Sequence, residues 1–524
     1  MKKFNNLLFL LFVFAFIHLN AQDTRYIDPI FSSVSVESNV TYATNISILT
    51  GAPAATNLLM DVYTPDGDDV TSRPVFVVIH TGSFLPQYFN GQVTGSRLDS
   101  AVVNTCKRLA SRGYVAVAAT YRQGWLPLAE DQNVRTSTLL HAAYRGIQDI
   151  YSCVRYLRYT VAENDNPYGI DPDKIGAFGL GTGGYISFGV GYLDRYEETV
   201  VDKFIDTETL TPYINPAVDG DPLGLDTAIL NMVNYPDYDS KVSFVVNLGG
   251  AMGDISWLEG NDDEPAAVGF HVVSDPFAPY ANGPVIVPTT GDFVVNVSGT
   301  WTVINENNLS GQNDILAPVN ALDNPLNQIV NFYKTQQIQY GGETITLAVD
   351  NIYPFIMPGY QGSPWDWWDK PTLDVLIPQI NALFGQNFSA DQLHNDGLIT
   401  SPNMGPEQGN AYLDTAFMYM LPRACNAFEL GECMTVSVAN PIDSKLVDFK
   451  AMPIPADQYI TLESKETSPM LNVYLFDVNG KVIRSYTKID QSQLTIQREN
   501  LPSGVYFVKV KFKEGWLSDQ VMFK

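Results

Sequence analysis

The stretch from Ile175 to Ser187 reads IGAFGLGTGGYIS, and its pattern decides the architecture of the chain. An apolar run ends in closely spaced glycines, and apolar residues resume after them. This spacing predicts a buried strand that turns sharply into a helix, because glycine accepts the positive φ that a tight turn needs. Gly181 stands at the centre of the turn, flanked by Gly179 and Gly183. It contributes backbone to the turn and no side chain.

Strand-like and helix-like segments alternate on both sides of this turn. The runs PVFVVIH (74–80), YVAVAATYR (114–122) and KVSFVVNLGG (241–250) are nearly continuous apolar strands. In GIQDIYSCVRYLRYT (146–160), apolar residues recur at helical spacing. The alternation predicts an α/β fold, built on a doubly wound, mostly parallel sheet with helices on both faces.

Two long stretches, residues 195–240 and 282–390, interrupt the alternation. Both are rich in Asp, Asn, Pro and Gly. Insertions of this length are typical of lids or caps, so we expect them to lie outside the central sheet. The domain that contains them is predicted to span residues 22–437. Residues 438–524 carry short alternating strands and are predicted to form a second, smaller domain, an antiparallel β-sandwich.

The N-terminus and the charge of the chain indicate an exported protein. Residues 1–21 combine two lysines, a short apolar run and small residues, which is the pattern of a secretory signal peptide. The exported chain is therefore expected to start near Gln22. No later apolar run is long enough for a transmembrane segment. The net charge of -26 and the isoelectric point near 4.4 argue against nucleic acid and anionic membranes as partners.

The cysteines and the acidic segments do not indicate a metal site. Four cysteines in an exported chain allow disulfides, and Cys425 with Cys433 is the pair closest in sequence. The pairing of Cys106 and Cys153 does not follow from the sequence. No C-x-x-C cluster is present, and the Asp-rich segments lack the spacing of a calcium loop. We expect no metal and no cofactor.

The smaller domain resembles the type A sorting domain of the Bacteroidota type IX secretion system. The resemblance rests on MPIPADQYITL (452–462), LFDVNGKVI (475–483) and LPSGVYFVKV (501–510), followed by a basic, apolar end. Ile454 stands where that family prefers Asn. The resemblance implies passage to the periplasm and then export across the outer membrane by the type IX machinery. The protein is then secreted or held at the cell surface.

The larger domain resembles the α/β-hydrolase fold, and within it the carboxylesterase and lipase-like group. IDPDKIGAFGLGTGGYISFG (170–189) is similar to that group's IDP-x-R-I-x-x-x-G-x-S-x-G-G. VVIHTGSF (77–84) is similar to its oxyanion loop, and TYRQGW (120–125) to the strand end that follows. By this register Gly181 occupies the nucleophile position. The resemblance thus implies that the turn offers no attacking oxygen.

The same resemblance implies roles for the residues around the turn. His80, Gly82 and Ser83 belong to the oxyanion loop, in which Thr81 replaces a usual glycine. The backbone N–H of Thr182 is one expected oxyanion donor, and Gly82 or Ser83 is expected to offer the second N–H. Three alternatives would keep catalysis: a nucleophile at Thr182, a nucleophile at Ser83, or direct attack by water that a remaining histidine activates.

The acid and the base are sought in the chain order nucleophile, acid, histidine. In FHVVSDPFAPY (270–280) the resemblance places the acid at Asp275. The alternative is an aspartate that caps the turn before Pro276. His394, in DQLHNDGLIT (391–400), comes after Asp275 in the chain and is the candidate base. The alternative is a histidine on a surface loop.

A Trp-rich loop in the second insertion is a candidate ligand platform. GYQGSPWDWWDKP (359–371) brings together four aromatic side chains that could stack on a sugar or an aromatic ring: Tyr360, Trp365, Trp367 and Trp368. The alternative is that the tryptophans pin the cap to the core.

Three functions fit these residues. The first is a secreted carboxylesterase-like protein with impaired catalysis, which binds an ester, a carbohydrate, an aromatic ligand or a polymer. The second is an active secreted ester hydrolase. The third is a non-catalytic surface or matrix scaffold. Gly181 favours the first, because function depends on the site and not on the fold.

Overall fold

A computed structural model describes residues 25–287, 289–359, 361–431, 444–477, 482–513 and 515–524. Outside these residues lie the predicted signal peptide (1–21), the Asn479-Gly480 pair on which a hairpin in LFDVNGKVI is predicted, Tyr360 and Cys433. Cys425 is disulfide-bonded, whereas Cys106 and Cys153 are free and buried.

The larger domain is built around one eight-stranded sheet, in the order β1-β2-β4-β3-β5-β6-β8-β13. The first two strands pair antiparallel with their neighbours, and every pair from β4 onward is parallel. The predicted doubly wound, mostly parallel sheet is therefore confirmed. The strands of this domain are β1 (Val34–Ser47), β2 (Ala54–Pro65), β3 (Arg73–Ile79), β4 (Val115–Ala119), β5 (Ile170–Leu180), β6 (Phe244–Leu248), β7 (Ala251–Met252), β8 (Ala266–Val272), β9 (Asn282–Ile286), β10 (Phe293–Gly299), β11 (Gln337–Tyr340), β12 (Glu343–Thr346) and β13 (Ile352–Phe355).

Helices cover the sheet, which is why its central strands are apolar on both faces. Every residue of β3, β4, β6 and β8 is buried. No helix among the described residues combines the length and apolar character needed to cross a bilayer. The helices are α1 (Ser100–Ala110), α2 (Gln132–Glu163), α3 (Thr182–Tyr192), α4 (Pro216–Asp219), α5 (Thr300–Ser310), α6 (Ala317–Asn320), α7 (Pro325–Tyr333), α8 (Lys370–Phe384), α9 (Ala390–Thr400) and α10 (Pro406–Ala427).

The two insertions differ in how they relate to the sheet. Residues 195–240 form short helical turns and contribute no strand to it. Most of residues 282–390 also lies outside it, in the small sheets β7-β10-β9 and β11-β12 and in helices. The expectation is wrong for β13, which pairs in parallel with β8. Pro354 is tolerated in this strand because β13 is at the edge of the sheet, with one side unpaired.

A buried ion pair fastens the first insertion to the sheet. Arg122 and Asp149 have fully buried side chains, and Arg122 Nε donates to Asp149 Oδ1 at 2.8 Å. The same guanidinium donates to the carbonyl oxygens of Ile46 at 3.2 Å and Leu230 at 2.6 Å. One side chain thus joins β1, α2 and the first insertion.

The smaller domain is a separate sandwich of two antiparallel sheets, β14-β15-β18 and β17-β16-β19-β20. Ile460 and Leu462 from one sheet and Val473 and Val508 from the other are fully buried in one core. The predicted β-sandwich is confirmed. Its elements are α11 (Ser444–Val447), β14 (Lys450–Met452), β15 (Tyr459–Glu463), β16 (Met470–Phe476), β17 (Val482–Gln491), β18 (Gln493–Gln497), β19 (Gly504–Phe512) and β20 (Gly515–Phe523).

Candidate active site

A single residue, Gly181, makes the turn between β5 and α3. Its backbone has φ 52° and ψ −116°, a combination that is strained for any residue with a side chain. Its N–H donates to the carbonyl oxygen of Leu248 at 2.8 Å. The predicted strand–turn–helix is confirmed, and glycine meets the positive φ without steric cost.

Gly179 and Gly183 let the helix approach the strand. A Cβ built on Gly179 would lie 2.1 Å from the carbonyl oxygen of Gly183, and one built on Gly183 would lie 2.1 Å from that of Ile79. Backbone atoms cannot relieve such contacts unless the strand or the helix shifts. The glycine spacing in the sequence is therefore a packing requirement.

We expect Gly179→Ala to lower the free energy of unfolding by about 2 kcal/mol or more, because the new methyl group overlaps packed backbone. The midpoint of urea unfolding, followed by circular dichroism, measures the change. Gly405→Ala is the matched control, since no atom lies within 4 Å of its ideal Cβ and its φ of 172° is extended backbone. Equal stability of the two variants would contradict the packing described for Gly179.

The side chain of Thr81 fills the space in front of Gly181. A Cβ built on Gly181 would lie 2.3 Å from Thr81 Oγ1 and 3.0 Å from Thr81 Cβ. Thr81 follows β3 and belongs to the predicted oxyanion loop. The volume beside the turn is thus occupied by a hydroxyl group from the neighbouring loop.

The backbone donors expected to bind an oxyanion face threonine hydroxyls. The N–H of Thr182 donates to Thr81 Oγ1 at 3.4 Å, a long contact, and the N–H of Ser83 donates to Thr182 Oγ1 at 2.7 Å. Ser83 has φ 54°, and its carbonyl oxygen accepts from Trp125 Nε1 at 2.7 Å. Both donors therefore have an acceptor within the protein.

His80 and Gly82 set the backbone of the same loop. The His80 ring stacks on Tyr121 with centroids 4.5 Å apart, and its Nδ1 lies 2.5 Å from the carbonyl oxygen of Thr81. Burial lowers the pKa of His80 to about 4, so the ring is neutral at neutral pH. Gly82 has φ 132°, and a Cβ built on it would lie 2.8 Å from Gly95 Cα. Both residues shape the loop, and His80 brings no charge to it.

Asp275 follows β8 and lines the same cavity as Gly181. Its Oδ1 accepts the N–H groups of Phe277 at 2.7 Å and Ala278 at 3.1 Å, so the carboxyl group does cap the turn. Burial raises the pKa of Asp275 to about 7, although the two backbone donors oppose the rise. The carboxyl group can therefore change charge near neutral pH, and its role as a catalytic acid stays a prediction.

His394 lies on helix α9 and not on a loop. Its Nδ1 accepts a hydrogen bond from Trp368 Nε1 at 3.1 Å. No hydrogen bond or ion pair joins His394 to Asp275 in the part of the chain that the structure describes. The role of His394 as the base also stays a prediction.

A different segment, the loop that follows β13, comes close to Asp275. A Cβ built on Gly362 would lie 3.2 Å from Asp275 Oδ1. Gln361 precedes this point of approach, and residues 356–369 contain no histidine. The loop therefore brings its backbone at Gly362 to the neighbourhood of the carboxyl group. On β8 itself, His271 Nε2 lies 3.9 Å from Asp275 Oδ2.

The tryptophans of this loop divide into two groups. Trp365 is 1% exposed and packs on Gly249, and Trp367 is 8% exposed and packs on Gly409. These two pin the loop to the core. Among the described residues of the predicted platform, Trp368 is the one that lines the cavity.

The cavity beside Gly181 has a volume of about 550 Å³, within the range of small-molecule sites. Three acidic residues line it, Asp275, Asp366 and Asp396, and the described lining residues include no Lys, Arg or His. No group of three or more His, Cys, Asp or Glu in the described chain is arranged to hold a metal ion. Much of the wall is aromatic or aliphatic and includes Phe84, Trp125, Leu140, Tyr185, Trp257 and Trp368.

Asp366 is a candidate that the sequence did not reveal. It is 8% exposed, and its carboxyl group has no hydrogen-bond or ion-pair partner among the described residues. Burial raises the pKa of Asp366 to about 8, and the nearby Asp99 adds to the rise. No sequence signal separates Asp366 from Asp369, the other aspartate of the loop, because the burial of Asp366 depends on how the flanking tryptophans pack.

Two family models match parts of the chain. Residues 60–263 match the family described as BD-FAE. Residues 450–524 match the secretion system C-terminal sorting domain. No curated protein matches the chain.

Several solved structures of esterases are distantly similar. An esterase from the Planctomycetes species Thermogutta terrifontis is 18% identical over 47% of this chain and 73% of its own, with a TM-score of 0.27. A truncated carbohydrate esterase from gut microbiota is 17% identical over 48% and 81%, with a TM-score of 0.28. A bifunctional GH43-CE protein of Bacteroides eggerthii is 17% identical over 47% and 31%, with a TM-score of 0.29.

Proposed function

We propose that this protein, which carries an esterase-like α/β-hydrolase domain and a type IX sorting domain, binds a small organic ligand and has impaired ester hydrolysis. The sorting domain directs type IX secretion to the cell surface or the exterior. The observation that carries the proposal is the Thr81 hydroxyl group in the space beside Gly181.

Acyl transfer through a covalent intermediate needs a nucleophilic oxygen, free oxyanion donors and a base. Gly181 supplies no oxygen, and Thr81 Oγ1 stands 2.3 Å from where a Cβ would be. The N–H groups of Thr182 and Ser83 already face hydroxyl acceptors. Each feature lowers the rate of acyl transfer, and together they support an impaired centre.

Thr182 and Ser83 are the alternative nucleophiles. Thr182 Oγ1 accepts the N–H of Ser83, so this hydroxyl group ties the loop to the helix. Neither hydroxyl group has a hydrogen bond to a histidine or a carboxylate among the described residues. Because an unactivated hydroxyl group is a weak nucleophile, this environment favours the impaired centre.

Slow hydrolysis by water is a second candidate, and one observation favours it. Burial raises the pKa of Asp275 to about 7, which suits a general base at neutral pH. The carboxyl group also lines the same cavity as Gly181. This route gives slow turnover and no acyl-enzyme.

We expect a fluorophosphonate probe to leave the wild-type protein unlabelled, because labelling needs an activated hydroxyl group. Intact-mass spectrometry of the wild type, Thr182→Ala and Ser83→Ala measures the adduct. A label that disappears in either variant would establish an active hydrolase and contradict the proposal. Hydrolysis of para-nitrophenyl acetate without a burst, lost in Asp275→Asn, would select the water route.

A further inference from the structure

We propose that the cavity beside Gly181 binds an organic cation, a compound with an ammonium group on an apolar or aromatic body, with Asp366 as its counter-ion. The inference rests on the proposed ligand-binding function and adds the class of ligand. It is carried by an unpaired buried carboxyl group, by the charges around the cavity and by the chemistry of its walls.

The carboxyl group of Asp366 lacks a partner. The residue is 8% exposed and lines the cavity, and its side chain makes no hydrogen bond or ion pair within the described chain. A buried carboxylate without compensation is costly, so such groups are paired in most proteins. Burial raises the pKa of Asp366 to about 8, which means that a cation placed beside it would restore the charged form.

The position of Asp366 is fixed by its neighbours. Trp365 and Trp367 are buried on either side of it, and the N–H of Asp366 donates to the carbonyl oxygen of Ser363 at 3.0 Å. Because the flanking side chains occupy the core, the carboxyl group is held at the cavity wall.

The charges around the cavity discriminate between ligands. Asp275, Asp366 and Asp396 line the cavity, and no described lining residue is basic. An anionic ligand would find no basic partner and would be repelled by each carboxyl group that is ionised, whereas a cation would stabilise the charged form of Asp366. The net charge of -26 acts in the same direction at long range.

The walls suit the body of such a cation. Trp125 Nε1 already donates to Ser83, and Trp368 Nε1 donates to His394, so neither indole N–H is free for a ligand. The rings therefore contribute carbon surface to the cavity, which packs against apolar chains, and an ammonium group that lies over a ring face gains a cation–π attraction.

Isothermal titration of the full exported chain with phenylbutylamine, phenylbutanol and phenylbutyrate tests the inference, because these probes share one body and differ in head group. We expect the ammonium compound to bind at least about 10-fold more tightly than the alcohol and more tightly still than the carboxylate. Asp366→Asn is expected to remove this preference, because it should lower the affinity for the ammonium compound about 10-fold. Xylobiose serves as a carbohydrate probe.

Asp396→Asn is the matched control, since it removes the same charge from the same cavity at a carboxylate that already accepts from Gln392. It should change the affinity for the ammonium compound less than about 3-fold. If the alcohol or xylobiose binds the wild type as tightly as the ammonium compound does, the inference of a cation site is overturned. The proposed ligand-binding function would still stand. Fluorophosphonate labelling with no binding of any probe would overturn both. The probe series on the wild type decides the matter even if Asp366→Asn does not fold.

Discussion

The triple variant Thr81→Gly/Gly181→Ser/Gln361→His is expected to hydrolyse para-nitrophenyl acetate at least about 100-fold faster than the wild type, because triad members act as a unit. The serine supplies the missing oxygen. The glycine at position 81 removes the hydroxyl group that stands 2.3 Å from the new Cβ and frees the N–H of Thr182. The histidine enters the loop that approaches Asp275. Initial rates and the amplitude of an acyl-enzyme burst measure the gain.

Two comparisons separate the parts of this prediction. The variant Gly181→Ser/Gln361→His retains Thr81 and should hydrolyse the ester at least about 10-fold more slowly than the triple variant. The reason is that the Thr81 hydroxyl group obstructs the new serine side chain. Equal rates with and without Thr81 would show that this side chain is no obstacle. If Thr81→Gly/Gly181→Ser already turns over and His394→Ala abolishes that turnover, His394 is the base that the chain order predicts.

Asp149→Ala is expected to lower the free energy of unfolding of the larger domain by about 3–5 kcal/mol, because it leaves the Arg122 guanidinium buried and unpaired. Both side chains are fully buried, 2.8 Å apart. Urea unfolding followed by near-ultraviolet circular dichroism, which reports the aromatic core, measures the loss. Asp263→Ala breaks an exposed pair with Lys241 and should leave the midpoint unchanged.

A compensating variant tests the cause of that loss. Arg122→Met/Asp149→Leu removes both charges and should recover much of the stability, because neither charge then stays unpaired in the interior. If the double variant is as unstable as Asp149→Ala, the contacts of Arg122 with Ile46 and Leu230 contribute more than the ion pair does.

The turn at Gly181 and most of the central sheet could be predicted from the sequence because their causes are local. A strand buried on both faces must be an apolar run, and a residue at φ 52° between strand and helix favours glycine. Strand β13 could not be predicted in the same way. It is four residues long, contains Pro354 and lies within an insertion rich in Asp, Asn, Pro and Gly, and its partner β8 is distant in sequence.

The site was harder to predict because it depends on distances between segments far apart in the chain. The order of motifs singled out Asp275 and His394, but order does not determine proximity, and the structure shows no bond between them among the described residues. The sequence shows that Thr81 replaces a glycine of the resembled family, and only the fold reveals that its hydroxyl group faces Gly181. Asp366 became a candidate through the burial of the two tryptophans beside it.

The anchoring of Trp365 and Trp367 has a consequence for the speed and selectivity of recognition. Since both indoles are already packed in the folded protein, the carboxyl group between them is preorganised. The protein therefore loses little conformational entropy when a ligand binds. Recognition of this kind resembles a lock and key, with association limited by entry into the cavity and selectivity set by a rigid outline.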